Sequence, residues 1–322
     1  MALVSNTRLA TLVKTILVTG AGGYLGRELV RQLLALGTFH VRAQVRGSRL
    51  DSSFAQHPRL EQLHGDLSNQ HFCASLCRGV DTIIHLANRA HTVGTKDAQW
   101  AASFVPTQYL ADAAVSAGVQ KLIFLSSIKA NDPEQSPYAA VKRQQEDELL
   151  RRHQSGQLRV VCLRPALIYG PGMRGNLATL FKLLRRPNWR ILPRPSGEMG
   201  LIGLEDCCRA IIAGLELEAL EGQRWQLDDG NRYTVIDIFR EVRRSLGLSP
   251  LLLWIPRPLV FCATMLSEWS APLTGLSIGR GSYATLYLER FQPDPSYGQL
   301  CGFVPRQEFY REIPVLLENM NA

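Results

Sequence analysis

Long apolar runs are absent from this chain of 322 residues. A membrane-spanning helix needs about 20 consecutive apolar residues, and the longest candidate, residues 251–266, is interrupted by Pro256, Arg257 and Pro258. The N-terminal stretch also lacks the basic start, sustained apolar core and small-residue cleavage site of a secretory signal. We therefore expect no transmembrane segment and no export of the chain.

Paired cysteines and a metal-ligand pattern are missing as well. The seven cysteines are odd in number, and several, such as Cys162, stand in apolar stretches, which is typical of reduced, buried thiols in a cytoplasmic protein. Cys73 and Cys77 are four residues apart and share a helix face, but no complete set of zinc ligands accompanies them. We therefore expect a cytoplasmic protein without a bound metal.

Concentrated positive charge is also absent, although the formal net charge is +8 and the isoelectric point is about 9.3. The lysines and arginines are scattered, with only short clusters such as Arg185 and Arg186. Nucleic-acid-binding surfaces usually concentrate their cations on one face, so we expect no nucleic-acid partner. The net charge instead suits a cleft that steers an anionic substrate.

What is present is an alternation of short β-branched runs with longer amphipathic segments. Residues 16–19, 41–45, 82–86, 122–126 and 160–163 are predicted strands, and the segments between them suit helices. Apolar strands separated by helices require a parallel sheet that is covered on both faces, and right-handed crossovers make it doubly wound. We predict an α/β fold, a Rossmann doubly wound parallel sheet with a smaller, interleaved C-terminal lobe.

The regular alternation ends near Arg164. Beyond it the sequence has many prolines, a helix predicted from about Leu204 and a strand predicted near residues 225–227, but no internal repeat and no low-complexity linker. We predict a Rossmann domain over residues 12–165, with returning elements around 203–228. Residues 166–322 are predicted to form most of a substrate-binding lobe.

The segment TGAGGYLG (residues 19–26) lies between the first predicted strand and a predicted helix. Glycines at positions 20, 23 and 26 allow a tight turn, a close approach of backbone N–H groups to a pyrophosphate, and close packing of the helix on the sheet. The predicted cofactor-binding residues of this turn are Gly20, Gly23, Tyr24, Leu25 and Gly26.

Two positions, one at the end of the second predicted strand and one in the segment 65–67, are expected to bind the adenosine half of a dinucleotide cofactor. Arg46 stands near the place where NAD-selective domains carry an acidic residue for the ribose hydroxyls. An arginine there suits the extra phosphate of NADP, so we favour NADP slightly over NAD, with a solvated surface arginine as the alternative. Asp66 and Leu67 are also predicted cofactor contacts. Asp66 is placed to accept from the adenine amino group, and its alternative role is a helix N-cap.

Tyr138 and Lys142 are four residues apart on one face of a helix that is predicted to begin at Pro137. A tyrosine with a pKa near 10 is a poor base at neutral pH, but an adjacent ammonium and a positive nicotinamide ring lower that pKa. Ser127 follows the strand at 122–126, where open parallel sheets place their ligands, and can hydrogen-bond the reacting oxygen. We predict Ser127, Tyr138 and Lys142 as catalytic residues, and Tyr138 and Lys142 also as cofactor contacts.

Together these motifs resemble the extended short-chain dehydrogenase/reductase family over nearly the whole chain. Further matches are IHLA (residues 84–87), RP (164–165) followed by YGPG (169–172), and DPS (294–296) before LCGFVP (300–305). The set is similar to the branch of nucleotide-sugar epimerases, dehydratases and 4-ketoreductases, and within it to UDP-sugar 4-epimerases and 4-keto-6-deoxy-sugar reductases of bacterial polysaccharide synthesis.

The resemblance implies further contacts and partners. Leu86, Ala87 and Pro165 then neighbour the NAD(P) cofactor. The substrate, a nucleotide diphosphate sugar for which UDP is favoured, is expected to contact His91, Ser127, Asn176 and Leu177. The resemblance also implies a homodimer, formed through the two long helices that follow Lys96 and Tyr138.

Three positions depart from the family's pattern. Ser103 stands where an asparagine is usual, Leu167 where some epimerases place an asparagine on the sugar diphosphate, and Met199 where a pyrophosphate-binding arginine is expected. The candidates to supply the missing positive charge are Arg174, Arg190 and Arg194.

Three functions stay open at this point. The first is a nucleotide-sugar 4-epimerase or 4-ketoreductase, in which Tyr138 exchanges a proton with the sugar 4-oxygen and hydride is exchanged at C4. The second is an NADP-dependent dehydrogenase or reductase of an apolar alcohol or ketone, which the apolar C-terminal lobe and Met199 favour. The third is a non-enzymatic NAD(P) sensor, against which the intact catalytic set counts.

Overall fold

The computed structural model describes most of the chain outside the N-terminal segment. The described residues are 14–47, 50, 54, 57–88, 100–173, 176–185, 191–193, 196–249, 253–256, 258–263 and 290–319. Among these residues, no helix combines the length and the apolar character that crossing a bilayer requires.

A seven-stranded parallel sheet forms the centre of the molecule. Its strands, numbered along the chain, are β1 (Thr15–Thr19), β2 (His40–Val45), β3 (Leu60–His64), β4 (Thr82–His85), β5 (Lys121–Leu125), β6 (Arg159–Pro165) and β11 (Arg224–Leu227). They lie in the order β11-β6-β5-β4-β1-β2-β3, and every neighbouring pair is parallel. The order reverses between β1 and β4, which is where doubly wound sheets bind their ligands.

Helices cover both faces of this sheet because the side chains of each strand alternate between them. On one face Ile16 and Val18 pack with α1 (Tyr24–Leu36) and α6 (Leu204–Ala213). On the other face Leu17 packs with α2 (Gln70–Cys77), α3 (Val105–Ser116) and α4 (Pro137–Gln154). The predicted fold class, a Rossmann doubly wound sheet, is therefore confirmed.

The smaller lobe is built from paired short strands and helices. β7 (Leu167–Tyr169) pairs with β10 (Leu201–Gly203), β9 (Glu198–Met199) with β12 (Tyr233–Thr234), and β8 (Ile191–Pro193) with β13 (Leu253–Ile255). The remaining helices are α5 (Asn176–Leu184), α7 (Val235–Ser245), α8 (Ser296–Cys301) and α9 (Phe309–Asn319).

A separate apolar core holds this lobe together. It contains residues of β7, α5, β9, β12, α7 and α9, among them Tyr169, Met199 and Phe309. Tyr24, on the first turn of α1, packs against both this core and the core under α1. The chain returns from the lobe to the sheet through β11, which pairs with β6, while the exact domain boundaries stay a prediction.

Candidate active site

The glycine turn after β1 is shaped by close backbone contacts. Gly20 has a φ of 68°, and a Cβ at this position would lie 2.8 Å from Cα and N of Ala87. A Cβ at Gly26 would lie 2.3 Å from the carbonyl oxygen of Gly20. Larger residues are therefore excluded at both positions.

The N-terminus of α1 opens beside this turn. Gly23 is the N-cap residue, and no side chain caps the helix there. Helix N-terminal N–H groups without an intrahelical partner favour an anion, through hydrogen bonds and through the helix dipole. This part of the structure therefore suits the pyrophosphate of a dinucleotide.

Gln44 joins the turn to the neighbouring loop, a role that the sequence analysis missed. Its Oε1 accepts from the backbone N–H of Gly20 at 2.9 Å, and its Nε2 donates to the carbonyl oxygen of Gly65 at 2.8 Å. The signal in the sequence is a polar residue in the otherwise apolar end of β2, where an unpartnered amide would be costly.

Arg46 and Asp66 lie together at the ends of β2 and β3. Nη1 of Arg46 is 3.9 Å from Oδ2 of Asp66, and the arginine side chain is 58% exposed, so it is accessible to a ligand. Oδ1 of Asp66 accepts from the backbone N–H of Ser68, whereas Asn69 is the N-cap of α2. The alternative role of Asp66 as a helix N-cap was therefore wrong, and its contact with adenine stays a prediction.

The structure brings Ser127 and Tyr138 together. Ser127 is the N-cap of a short 3₁₀ turn (Ile128–Asn131) just beyond β5, and Tyr138 lies on the first turn of α4. Ser136 starts that helix by accepting from the N–H of Ala139, with Pro137 at the first helical position. The side chains of Ser127 and Asn88 are the hydrogen-bonding neighbours of the Tyr138 hydroxyl.

The pKa of Tyr138 is raised above the ordinary value of a phenol. Burial raises it, and the hydrogen bonds to Ser127 and Asn88 lower it by less. The expected lowering by Lys142 is not found in the protein alone. Tyr138 therefore holds its proton at neutral pH in this state.

Lys142 is almost fully buried, with 2% of its surface exposed. Its Nζ donates to the carbonyl oxygen of Leu125 at 2.7 Å and lies 4.4 Å from the centre of the Phe124 ring. Burial lowers the pKa of the Lys142 ammonium to about 7, against an opposing effect of Glu146 and Cys162. Burial thus weakens the hold of Lys142 on its proton, at the end of the strand that leads to Ser127.

Glu146, one turn beyond Lys142 on α4, is fully buried between two arginines. Arg164 on β6 contacts both carboxylate oxygens, and Nε of Arg224 on β11 lies 2.9 Å from Oε2. This ion-pair cluster attaches the catalytic helix to two strands of the sheet. Sequence analysis missed it because the three residues are far apart in the chain.

The other predicted contacts divide between the central sheet and the smaller lobe. Leu86 and Ala87 follow β4 directly beside Gly20, and Pro165 ends β6. Leu177 is buried in the core of the smaller lobe, and Asn176 begins α5. The residues His91, Arg174, Arg190 and Arg194 lie outside the described part of the chain. Contacts of all these residues with ligands stay predictions.

Two of the three residues that depart from the family's pattern lie in the smaller lobe. Met199 on β9 is buried in its apolar core, and Leu167 on β7 packs against that core. The third, Ser103, acts through its backbone, because its carbonyl oxygen accepts from Thr107 and Gln145.

An NAD(P) cofactor fits the residues at the carboxyl ends of the central strands. The glycine cradle leaves no space for a Cβ at Gly20, and the first turn of α1 has no side-chain cap. Oγ of Ser126, at the end of β5, is buried without a hydrogen-bond partner among the described residues. An unsatisfied buried hydroxyl and an open helix N-terminus are features that a polar ligand completes.

Fold and site together define an NAD(P)-dependent enzyme of the extended short-chain dehydrogenase/reductase type. The model of the NAD dependent epimerase/dehydratase family matches residues 16–224, and the chain belongs to that family.

Similar proteins span nearly the whole chain. A ceramide reductase from Caulobacter vibrioides is 29% identical over 95% of this chain and 97% of its own length. A UDP-glucose 4-epimerase from Vibrio cholerae is 24% identical over 91% of this chain and 92% of its own. The crystal structure of a dTDP-glucose 4,6-dehydratase from Streptomyces venezuelae, with NAD bound, matches with a TM-score of 0.75 at 20% identity, covering 95% of this chain and 97% of that one. These proteins confirm the predicted branch of the family.

Proposed function

We propose that the protein is an NAD(P)-dependent reductase that converts an apolar or amphiphilic ketone into a secondary alcohol. When bound, the reduced nicotinamide supplies a hydride to the carbonyl carbon. The residues of this chain bind and orient the ketone and deliver the proton that its oxygen then requires.

The observation that carries the substrate class is the apolar surrounding of Met199. Where the family's sugar-nucleotide enzymes are expected to hold a pyrophosphate with arginine, Met199 is buried among Tyr169, Leu177 and Tyr233. Leu167 packs against the same core. Burying a diphosphate needs cationic or N–H donors, and the described side chains of this core are apolar or aromatic. An alkyl chain instead gains about 25 cal/mol per Å² of apolar area removed from water.

The state of Tyr138 favours the reductive direction. Because burial raises its pKa, the phenol holds its proton at neutral pH and donates it to the ketone oxygen as that oxygen gains negative charge. Ser127, which lies beside the Tyr138 hydroxyl, hydrogen-bonds the same oxygen. The products are the alcohol, the oxidised cofactor and a tyrosinate that takes its proton back from solvent.

Lys142 supports this step from its position at the end of β5. Burial lowers the pKa of its ammonium to about 7, so an anion that forms or binds close to it stabilises its charged form. We also expect Lys142 to bind the ribose of the nicotinamide half. Arg46, exposed at the end of β2, favours NADP over NAD as the preferred cofactor.

A thermal-shift panel tests the proposal. A ligand at about 100 times its Kd stabilises the protein by about 2.7 kcal/mol. We expect stabilisation by NADP, a further increase with a long-chain ketone or alcohol, and no increase with UDP, UDP-glucose or dTDP. Stabilisation by the UDP compounds and not by the apolar ligands would overturn the proposed substrate class.

The second candidate is a nucleotide-sugar 4-epimerase or 4-ketoreductase. It is favoured by the UDP-glucose 4-epimerase from Vibrio cholerae, which aligns with more than nine-tenths of this chain. Conversion of UDP-glucose to UDP-galactose by the purified protein, with no net change in cofactor absorbance, would select the epimerase. Oxidation of NADPH by a UDP-4-keto sugar would select the 4-ketoreductase.

We further propose that the protein is a cytoplasmic homodimer. The family resemblance supports the dimer, and the unpaired, largely buried thiols are compatible with a reducing compartment. Light scattering that gives the mass of a monomer at micromolar concentration would contradict the dimer.

A further inference from the structure

A chain of buried hydrogen bonds runs from the end of β1 to the catalytic helix α4. His85, the last residue of β4, is 1% exposed. Its Nδ1 lies 2.7 Å from Oγ1 of Thr19, and its Nε2 lies 2.9 Å from Oγ1 of Thr107. Gln145 on α4 donates to Oγ1 of Thr107 at 2.7 Å and to the carbonyl oxygen of Ser103 at 3.0 Å. This network thus links four elements, β1, β4, α3 and α4, and Gln145 is joined to the imidazole through Thr107.

The direction of each hydrogen bond follows from counting protons. The Thr107 hydroxyl has one proton, and when this proton is donated to the carbonyl oxygen of Ser103 at 2.9 Å, Nε2 of His85 is the donor towards Thr107. In a neutral imidazole Nδ1 then accepts from the Thr19 hydroxyl. The opposite tautomer would leave the Thr19 proton without a described acceptor.

One end of this hydrogen-bond network contacts Leu86 and Ala87, the predicted cofactor contacts that follow β4 and that we call the cofactor wall. Oγ1 of Thr19 accepts from the N–H of Ala87 at 3.3 Å, and the carbonyl oxygen of Thr19 accepts from the N–H of Leu86, also at 3.3 Å. Ala87 in turn packs directly against Gly20 of the glycine turn. The other end of the network is Gln145, which lies three residues beyond Lys142 on α4.

We propose that His85, as the neutral imidazole protonated at Nε2, is a positioning residue that holds Leu86 and Ala87 in a fixed relation to the helix carrying Tyr138 and Lys142. In this role it sets the distance between the cofactor and the proton donor without touching either. The inference rests on the cofactor site of the proposed function but does not depend on the substrate class.

The charge state of His85 supports this role. Burial, and to a lesser extent the charge of Lys142, lower the pKa of His85 to about 3. The imidazole therefore stays neutral throughout the physiological range, and it adds no second cation beside Lys142.

Substitution of Thr107 separates positioning from simple packing. Thr107→Val keeps the shape but removes the acceptor of two buried donors, His85 Nε2–H and the Gln145 amide, and Thr107→Ser restores it. We expect Thr107→Val to raise the Kd for NADP or NAD roughly tenfold, as the loss of a buried hydrogen-bond partner would, and Thr107→Ser to stay within about twofold of the wild type. Isothermal titration calorimetry of the purified wild type and variants with each cofactor measures these Kd values.

A matched control removes a buried hydroxyl that hydrogen-bonds α6 and takes no part in the His85 network. Oη of Tyr297 donates to the carbonyl oxygen of Ala210 at 2.7 Å. Tyr297→Phe should lower the melting temperature without changing the cofactor Kd. If Thr107→Val behaves like Tyr297→Phe, less stable but with an unchanged Kd, His85 has only a structural role and the proposal is overturned.

A second measurement determines the tautomer in the wild-type protein and uses a variant only to assign the signals. Nitrogen-15 NMR of the imidazole of the wild-type protein without cofactor, assigned by comparison with His85→Gln, should show a neutral ring protonated at Nε2. A ring protonated at Nδ1, or a charged one, at pH 7 would overturn the assignment. If the wild type binds neither cofactor, the cofactor site itself fails, and that outcome is distinct from normal binding with unchanged Thr107 variants.

Discussion

The ammonium of Lys142 lies 2.7 Å from the carbonyl oxygen of Leu125, the last residue of β5. This contact ties the catalytic helix to the strand that ends just before Ser127. It also places a buried cation where the pKa of Lys142 falls to about 7. Its charge is therefore responsive to any anion that forms or binds nearby.

The buried position of Lys142 has a consequence for stability. Its pKa falls from 10.5 to about 7 on folding, so between these values the unfolded chain binds more protons and this group's contribution to stability rises with pH. Lys142→Met removes that contribution. Relative to the wild type, we expect the free energy of unfolding of Lys142→Met to be greatest below pH 7 and to decline as the pH rises to 9.

Urea unfolding at pH 6, 7.5 and 9 measures this difference. Lys14→Met, at an exposed lysine that pairs with Glu216, is the control and should differ from the wild type by a nearly constant amount. A Lys142→Met difference that is equally constant would show that Lys142 is fully charged throughout.

Removal of the Tyr138 hydroxyl tests the proton donor. We expect Tyr138→Phe to lower kcat by at least about 100-fold, since general acid catalysis contributes roughly that much or more, while the cofactor Kd changes little. Ser127→Ala should lower kcat by a smaller factor because the phenol remains. Steady-state kinetics with cofactor titrations check both, and full activity of Tyr138→Phe would show that this phenol is not the proton donor.

Substitution of Arg46 tests whether the protein prefers NADP over NAD. Because the Arg46 side chain is 58% exposed, its guanidinium can bind the extra phosphate of NADP through charge-assisted hydrogen bonds. Arg46→Ala should raise the Kd for NADP by about tenfold or more and leave that for NAD nearly unchanged. Arg78→Ala, an exposed change at the far end of α2, is the control. Equal losses for both cofactors would remove the proposed preference.

The buried carboxylate of Glu146 is expected to be a large contributor to stability. Glu146→Ala leaves Arg164 and Arg224 without their shared partner, and breaking such a buried pair costs about 3–5 kcal/mol. Glu218→Ala removes an exposed partner of Arg159 and should cost less than about 1 kcal/mol. Urea unfolding of the two variants compares them, and similar losses would contradict the assigned role.

The central sheet could be predicted from the sequence because its strands are short apolar runs with polar boundaries. The strands predicted at 16–19, 41–45 and 160–163 lie within β1, β2 and β6. The glycine turn and the spacing of Tyr138 and Lys142 were equally local signals. Ser127 could be added because its position at a strand end places it near both.

The hydrogen-bond and ion-pair networks could not be predicted from local patterns. His85 meets Thr107, and Glu146 meets Arg224, across 22 and 78 residues of sequence, so their contacts exist only after the sheet and α4 have packed. The pKa of Tyr138 was expected to be lowered by Lys142, but it is raised because burial outweighs the hydrogen bonds. Desolvation depends on tertiary packing and leaves no signature in a spacing motif.

The measurement that bears most directly on the proposed function is kcat/KM for a series of aliphatic ketones of increasing chain length, followed by the absorbance of NADPH or NADH. Each buried methylene contributes about 0.8 kcal/mol, so we expect kcat/KM to rise about fourfold per added methylene until the cleft is filled. No turnover of any ketone in the series, together with conversion of UDP-glucose to UDP-galactose, would contradict an apolar substrate and establish the sugar-nucleotide function instead.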